Sequence, residues 1–245
     1  MTKEQAFEAL KNIITCLKEK YFAEYEGEER LRADLSRAMH EDKFPAHWGL
    51  EAGASKAVIL LPNADYVIKI PFNSQVFRYD PEWDDDEDDE NQTSKEHTHD
   101  MFFCANSLIT TERDWDYCEA EMNLYNAAVE DSVDTYFAAE GLLGYIDNYP
   151  VYWQQRCIPF SSLDKDSSEA SEHRSEQSRE KCRKLGILCF NPLWIADFID
   201  AYGEDELQRL DAFLRTWGID DLRSCNIGYI GGLPIIFDYS GFNEW

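Results

Sequence analysis

The chain has 245 residues, of which 44% are hydrophobic and 14% aromatic, and a formal net charge of -26. That is enough apolar matter for one sizeable core or two small lobes, and too much for a disordered chain. So acidic a surface repels other polyanions, which argues against nucleic acid and anionic membrane as partners and suits a chain that attracts a basic protein or mimics a polyanion.

Seven cysteines, an odd number with no Cys-x-x-Cys pair, read as free thiols of a reducing compartment. No apolar run approaches the roughly 20 residues of a membrane helix, and no charged-then-apolar leader opens the chain. The expectation is a soluble, cytoplasmic protein.

The first element reads as a helix. Thr2 and Gln5 have capping-box spacing, and Phe7, Leu10, Ile14, Leu17 and Tyr21 form one apolar stripe. A weaker helical stripe follows at Leu31, Leu35 and Met39, and Pro45 and Gly49 break it. In "GLEAGASKAVILLPNADYVIKIPF", Val58 to Leu61 and Tyr66 to Ile70 are β-prone runs around the turn "PNAD", a hairpin preceded by a loop holding Gly49 and Gly53.

Residues 73–113 interrupt this order. They include "EWDDDEDDE", eight acids in nine residues, which repel one another as a solvated insertion. His97 and His99 lie beside that run without a third soft ligand, so they belong to the insertion rather than to a metal site.

"DWDYCEAEMNLYNAAVE" is helical, with Cys118, Met122, Tyr125 and Val129 on its apolar stripe. "LLGYIDNYPVYWQQRC" reads as two strands around Asp147-Asn148. Ser161 to Lys184 is polar and reads as a solvated helix or a linker. Asn191-Pro192 starts a helix that Gly203 stops. A second helix carries Leu207, Leu210, Phe213, Leu214 and Trp217, and Gly218 closes it. The last element, "DDLRSCNIGYIGGLPIIFDYSG", is a hairpin around Gly231-Gly232. Sheet with one helix, then helices with a terminal hairpin, predicts an α+β chain in two lobes.

Phosphoryl transfer needs a fixed cation for the phosphates, a carboxylate to hold that cation, hard oxygen ligands for magnesium, and a carboxylate beside the acceptor hydroxyl. Each part has a candidate in a workable order. Lys69 is mid-strand in "YVIKI", and Glu121 or its neighbour Glu119 lies on a helix. Asp221, with Asp220 as a rival, precedes Asn226 by five residues, and Asp238 follows Asn226 by twelve. A hairpin sets Asn226 and Asp238 side by side.

These residues resemble the protein-kinase-like superfamily. "VIKI" is similar to its third-strand lysine element and "EMNLYNAAV" to the helix carrying the lysine's glutamate. "DLRSCN" resembles the Asp-Leu-x-x-x-Asn catalytic loop, and "DYSG" stands where the family has Asp-Phe-Gly.

The resemblance implies a kinase-like two-lobe fold with a truncated, mostly helical C-terminal lobe. Its first lobe would span residues 1–155, with the acidic insertion 73–113, and its second residues 156–245. It implies ATP and magnesium as cofactors, Asp221 as catalytic base, Lys69 and Glu121 as the phosphate-holding pair, and Asn226 and Asp238 as metal ligands. Gly53, Ala54 and Ser55 would lie over the phosphates, and Gln155, Arg156 and Cys157 would form the hinge beside the adenine.

The glycine loop keeps only Gly49 and Gly53, and only seven residues follow Asp238. The expected acceptor is therefore a small molecule, the protein itself or a docked partner, rather than a peptide held on a helical platform. Two other readings stand beside the phosphotransferase. One is a pseudokinase that binds nucleotide without transfer. The other is an acidic decoy whose eleven acids between residues 80 and 100, against Lys95 alone, bind a basic partner.

Overall fold

The computed structural model describes residues 1–17, 48–52, 56–71, 116–146, 149–163 and 169–239. The second helical stripe, the acidic insertion with its histidines, the loop Gly53–Ser55, the Asp147-Asn148 turn and the Ser240-Gly241 end of the last motif lie outside the described residues. The chain divides into two units. Met1–Glu119 and Gly141–Trp153 form the first, and Ala120–Glu140 and Gln154–Trp245 the second.

In the first unit, helix α1 (Lys3–Leu17) starts on the expected capping box. The Thr2 amide donates to Gln5 Oε1 at 3.0 Å and the Gln5 amide to Thr2 Oγ1 at 3.2 Å. Ala6 and Leu10 on one face of α1 are buried against a sheet. That sheet runs β1 (Gly49–Ala52), β2 (Lys56–Leu60), β3 (Tyr66–Pro71), β5 (Tyr149–Gln155), β4 (Glu140–Ile146). Strands β1, β2 and β3 are an antiparallel meander, with Leu50 opposite Ile59 and Val58 opposite Lys69.

The segment at Gly49 is therefore a strand and not the expected loop. Leu50 packs on the core, and the backbone of Gly49 comes close enough to Leu60 that a Cβ would sit 3.2 Å from the Leu60 Cβ. The strand alternation of β3 sends Tyr66, Ile68 and Ile70 into the core shared with Ala57, Ile59, Ile146 and Val151. It places Val67, Lys69 and Pro71 on the other face, where they too are buried.

Helix α2 (Tyr117–Glu130) begins in the first unit and continues into the second. Its buried line is Cys118, Glu121 and Ala128, with Leu124 and Tyr125 half-buried, whereas Val129 is 48% exposed. The sequence stripe was set one residue off at its end, because the alanine packs where the valine was expected.

The second unit's helices are α3 (Glu169–Leu185), α4 (Pro192–Tyr202) and α5 (Glu204–Thr216). The polar stretch is thus helical from Glu169 onward. Its Arg174 pairs with Asp197 and Asp200 of α4, and Cys182 is its buried apolar contact. Asn191 caps α4 by accepting from the Trp194 amide at 3.1 Å. Trp194, Phe198, Leu207, Leu210, Phe213 and Leu214 form the core with Phe137 and Tyr239. Trp217 lies past the end of α5 and is 39% exposed, so it covers the rim of that core instead of filling it.

A second sheet, β6 (Ile158–Pro159), β7 (Ile227–Ile230) and β8 (Leu233–Ile236), packs here. Gly231 and Gly232 have φ of 59° and 86°, the double positive φ that a tight two-residue hairpin turn demands. The architecture is α+β. Among the described residues no helix is long and apolar enough to cross a membrane, and cysteines 118, 157, 182, 189 and 225 are free thiols.

Gly228 is the tightest point of the second sheet. A Cβ there would sit 2.2 Å from the Ile158 carbonyl oxygen, which is backbone and cannot swing away. Gly228→Ala is expected to break the β6–β7 pairing and cost about 1–3 kcal/mol in chemical denaturation. Gly231→Asn, at a turn position that asparagine tolerates, is expected to stay within about 0.5–1 kcal/mol of the parent.

Candidate functional site

The site in the second unit is built by the turn that joins α5 to β7. Gly218, at φ 63°, lets the chain reverse after α5, and the Ile219 amide donates back to the Leu214 carbonyl at 2.8 Å. Ile219 and Leu222 are buried and anchor the loop, while Asp220 points outward as an exposed residue. Between them Asp221 is half-buried. Both its carboxylate oxygens are held by the Arg223 guanidinium, with Nε at 2.5 Å and Nη2 at 2.6 Å. That fork holds the Arg223 pKa above its ordinary value through the hydrogen bonds and charge of Asp221, with Asp238 contributing more weakly.

Asn226 is buried and its amide is oriented by the loop. Nδ2 donates to the Asp221 carbonyl at 2.7 Å, so Oδ1 is the atom left as an acceptor, and the Cys225 thiol donates to it at 3.2 Å. The backbone carbonyl of Asn226 accepts from two amides at once, Phe237 at 3.0 Å and Asp238 at 3.2 Å. The register continues the hairpin, in which Ile227 faces Ile236. The structure thus brings Asn226 and Asp238 together at the open end of the β7–β8 hairpin, with the Asp221 backbone tied to the same point. Asp238 lies two residues beyond the end of β8 and is half-buried.

A buried polar cluster backs this hairpin. Gln154 Nε2 donates to the Phe237 carbonyl at 2.6 Å and to Glu140 Oε2 at 2.7 Å. Carboxylate oxygens of Glu140 and Glu121 lie within 4.8 Å of each other, and both residues are buried. The Tyr239 hydroxyl donates to the Ala138 carbonyl at 3.2 Å, and its pKa is pushed up by complete burial first and then by the charges of Glu140 and Glu121.

The two glutamates between which the sequence left a choice differ in burial. Glu121 is fully buried and Glu119 is exposed. Glu140 and Gln154 were missed by the sequence reading. Their one signal was a polar residue at each end of the Glu140–Gln155 strand pair, beside Ala139 for Glu140 and Trp153 for Gln154.

Lys69 belongs to the first unit, at the centre of β3 and 3% exposed. A second buried lysine, Lys56, opens β2 at 6% exposure. Lys56 faces Pro71 and Val58 faces Lys69, so the period of two puts both amines on one face of the sheet, away from the α1 core. Lys56 could have been found from the same alternation that singled out Lys69. On this unit Asp116 caps α2, accepting from the Cys118 and Glu119 amides at 2.9 and 3.1 Å. Its other oxygen accepts from the Tyr152 hydroxyl at 2.7 Å. Burial, then Asp116, raises the Tyr152 pKa.

Of the expected hinge, Gln155 donates its amide to the Ala139 carbonyl at 2.8 Å. Arg156 is exposed, and Cys157 is half-buried with its thiol 3.6 Å from the Gln155 carbonyl. Gly53, Ala54 and Ser55 lie outside the described residues, in the connection between β1 and β2.

No protein-family model, curated protein or solved structure matches the chain.

Asn226 holds the loop by its side chain as well as by its backbone. Asn226→Ala removes the Nδ2 donor to the Asp221 carbonyl and is expected to cost about 1–3 kcal/mol in urea unfolding. Asn226→Asp places an acceptor against that carbonyl and is expected to cost at least as much.

Proposed function

We propose that the chain is an ATP- and magnesium-dependent phosphotransferase built on a protein-kinase-like two-lobe plan. The observation that carries this reading is the double acceptance at the Asn226 carbonyl, which sets the backbone of Asp238 beside that of Asn226 at one hairpin mouth. Hard oxygen donors from one or two side chains are what a magnesium ion takes when nucleotide phosphates and water complete its shell. Asn226 and Asp238 hold the metal on this reading, Asp221 orients the acceptor hydroxyl and takes its proton, and Lys69 neutralises the phosphates. Glu121, fully buried on α2, is on this reading the carboxylate that orients the lysine. The adenine is assigned to the backbone of residues 155–157.

One observation favours a second reading, nucleotide binding without transfer. Both oxygens of Asp221 are engaged by Arg223, and a base so occupied must be released before it accepts a proton.

Thermal unfolding separates these outcomes. ATP with magnesium, at about a hundredfold over its dissociation constant, is expected to add about 2.7 kcal/mol of stability that magnesium alone does not. Asp238→Asn is expected to lose that gain, and a chain that ignores ATP in this assay contradicts both readings.

Turnover of ATP to ADP distinguishes the two. Lys69→Met and Asp221→Asn are each expected to lower it by about 10²- to 10⁴-fold. Asp221→Asn is expected to keep the thermal gain from ATP. Absence of turnover in the parent chain, with binding intact, selects the second reading.

A further inference from the structure

A cavity of about 410 Å³ opens on the second unit, between α5, the loop after α3 and the loop after α5. Its floor is apolar. Leu210 and Leu214 come from α5, Ile187 and Leu188 from the loop after α3, and Ile219 and Leu222 from the loop that carries Asp221. Leu188, one of these lining residues, is 56% exposed, so apolar surface of the cavity continues to the solvent.

The polar groups are confined to the rim, and they divide into two kinds. Asp211 and Arg215 satisfy each other at 2.6 Å. Arg215 also donates to the Gly186 carbonyl, and Asp211 accepts from the Leu188 amide. These bonds hold the 186–188 loop open as a wall. Asp220 is exposed, and its carboxylate takes no hydrogen bond or ion pair among the described residues.

A polar metabolite needs convergent donors and acceptors inside its pocket. This cavity offers an apolar interior and one uncommitted negative charge at its edge. The fitting occupant is an apolar side chain with a cation beside it. A net charge of -26 draws such a segment toward the chain from a distance and repels acidic ones.

We infer that this cavity is a docking site for a basic peptide segment of a partner protein, with a Leu, Ile, Met or Phe seated between α5 and the 186–188 loop and a neighbouring Lys or Arg on Asp220. The inference does not depend on the nucleotide reading, because every lining residue lies outside the set assigned to metal and phosphate. It does give the Asp221 loop a second contact, since Asp220 and Leu222 flank Asp221 in the chain.

Peptide display from a random dodecamer library against the full chain tests the site, with the Leu188→Ser/Asp220→Lys double variant as counter-target. Both positions are exposed, so the variant is expected to melt with the parent. Leu188→Ala with Asp220→Asn replaces it if it does not.

The expected result is enrichment of peptides carrying an apolar residue within two positions of Lys or Arg. Synthetic copies, followed by fluorescence anisotropy without nucleotide, are expected to weaken about tenfold for each single change. Raised salt should weaken binding to the parent and not to the Asp220→Lys variant. Failure to enrich any peptide over the counter-target overturns the inference. So do peptides that bind both variants equally, and peptides that lack a basic residue.

Discussion

The bifurcated acceptance at the Asn226 carbonyl is the constraint on which the candidate site depends. A strand pair normally spends each carbonyl on one amide. Here one oxygen closes the hairpin and also draws in the next residue, so the Asp238 backbone is held at the hairpin mouth. Backbone positioning reduces the freedom that must be lost when a ligand arrives, which favours preorganisation of a site. The Asn226 side chain adds the third tie, to the Asp221 carbonyl. Three polar residues separated in the chain by up to 17 positions are thereby fixed by hydrogen bonds that involve one asparagine.

That asparagine is held in turn by packing. Trp194 Nε1 donates to the Gly228 carbonyl at 3.1 Å, which ties β7 to α4 through a fully buried ring. Gly228 allows β6 to approach at a distance that any side chain would forbid. Tyr239 anchors the far side, edge-on to Phe137 at 5.2 Å, in a core that also holds Phe213. Buried aromatic pairs of this kind add about 0.5–1.5 kcal/mol each beyond the area they bury. The surface ion pairs of α3 with α4 and α5 contribute little, because both partners are largely solvated.

Much of this was legible in the sequence because the signals were local. The capping box at Thr2, the Asn191-Pro192 helix start, the Gly231-Gly232 turn and the β2–β3 hairpin all depend on residues within a few positions of one another. The juxtaposition of Asn226 with Asp238 followed from a hairpin's register and needed no tertiary information. What was not legible was long-range. Gly49 read as a loop because glycine is usually punctuation, and only its fit against Leu60 explains it as a strand residue. The partnership of Glu140 with Gln154 and with Glu121 joins two strands and a helix, which no spacing announces. The Arg223 fork on Asp221 was visible as a sequence neighbour but not as a geometry, and it bears directly on whether Asp221 acts as a base.

The account's central claim is that Asn226 and Asp238 share one divalent cation with the nucleotide phosphates. The most direct measurement is a crystal structure of the full chain grown with manganese and a non-hydrolysable ATP analogue, with the metal located by its anomalous signal. The account predicts a peak at about 2.1–2.2 Å from Asn226 Oδ1 and from an Asp238 carboxylate oxygen, bridged to the phosphates. Nucleotide bound with its metal elsewhere, or a peak on the acidic surface and none at the hairpin mouth, would contradict it.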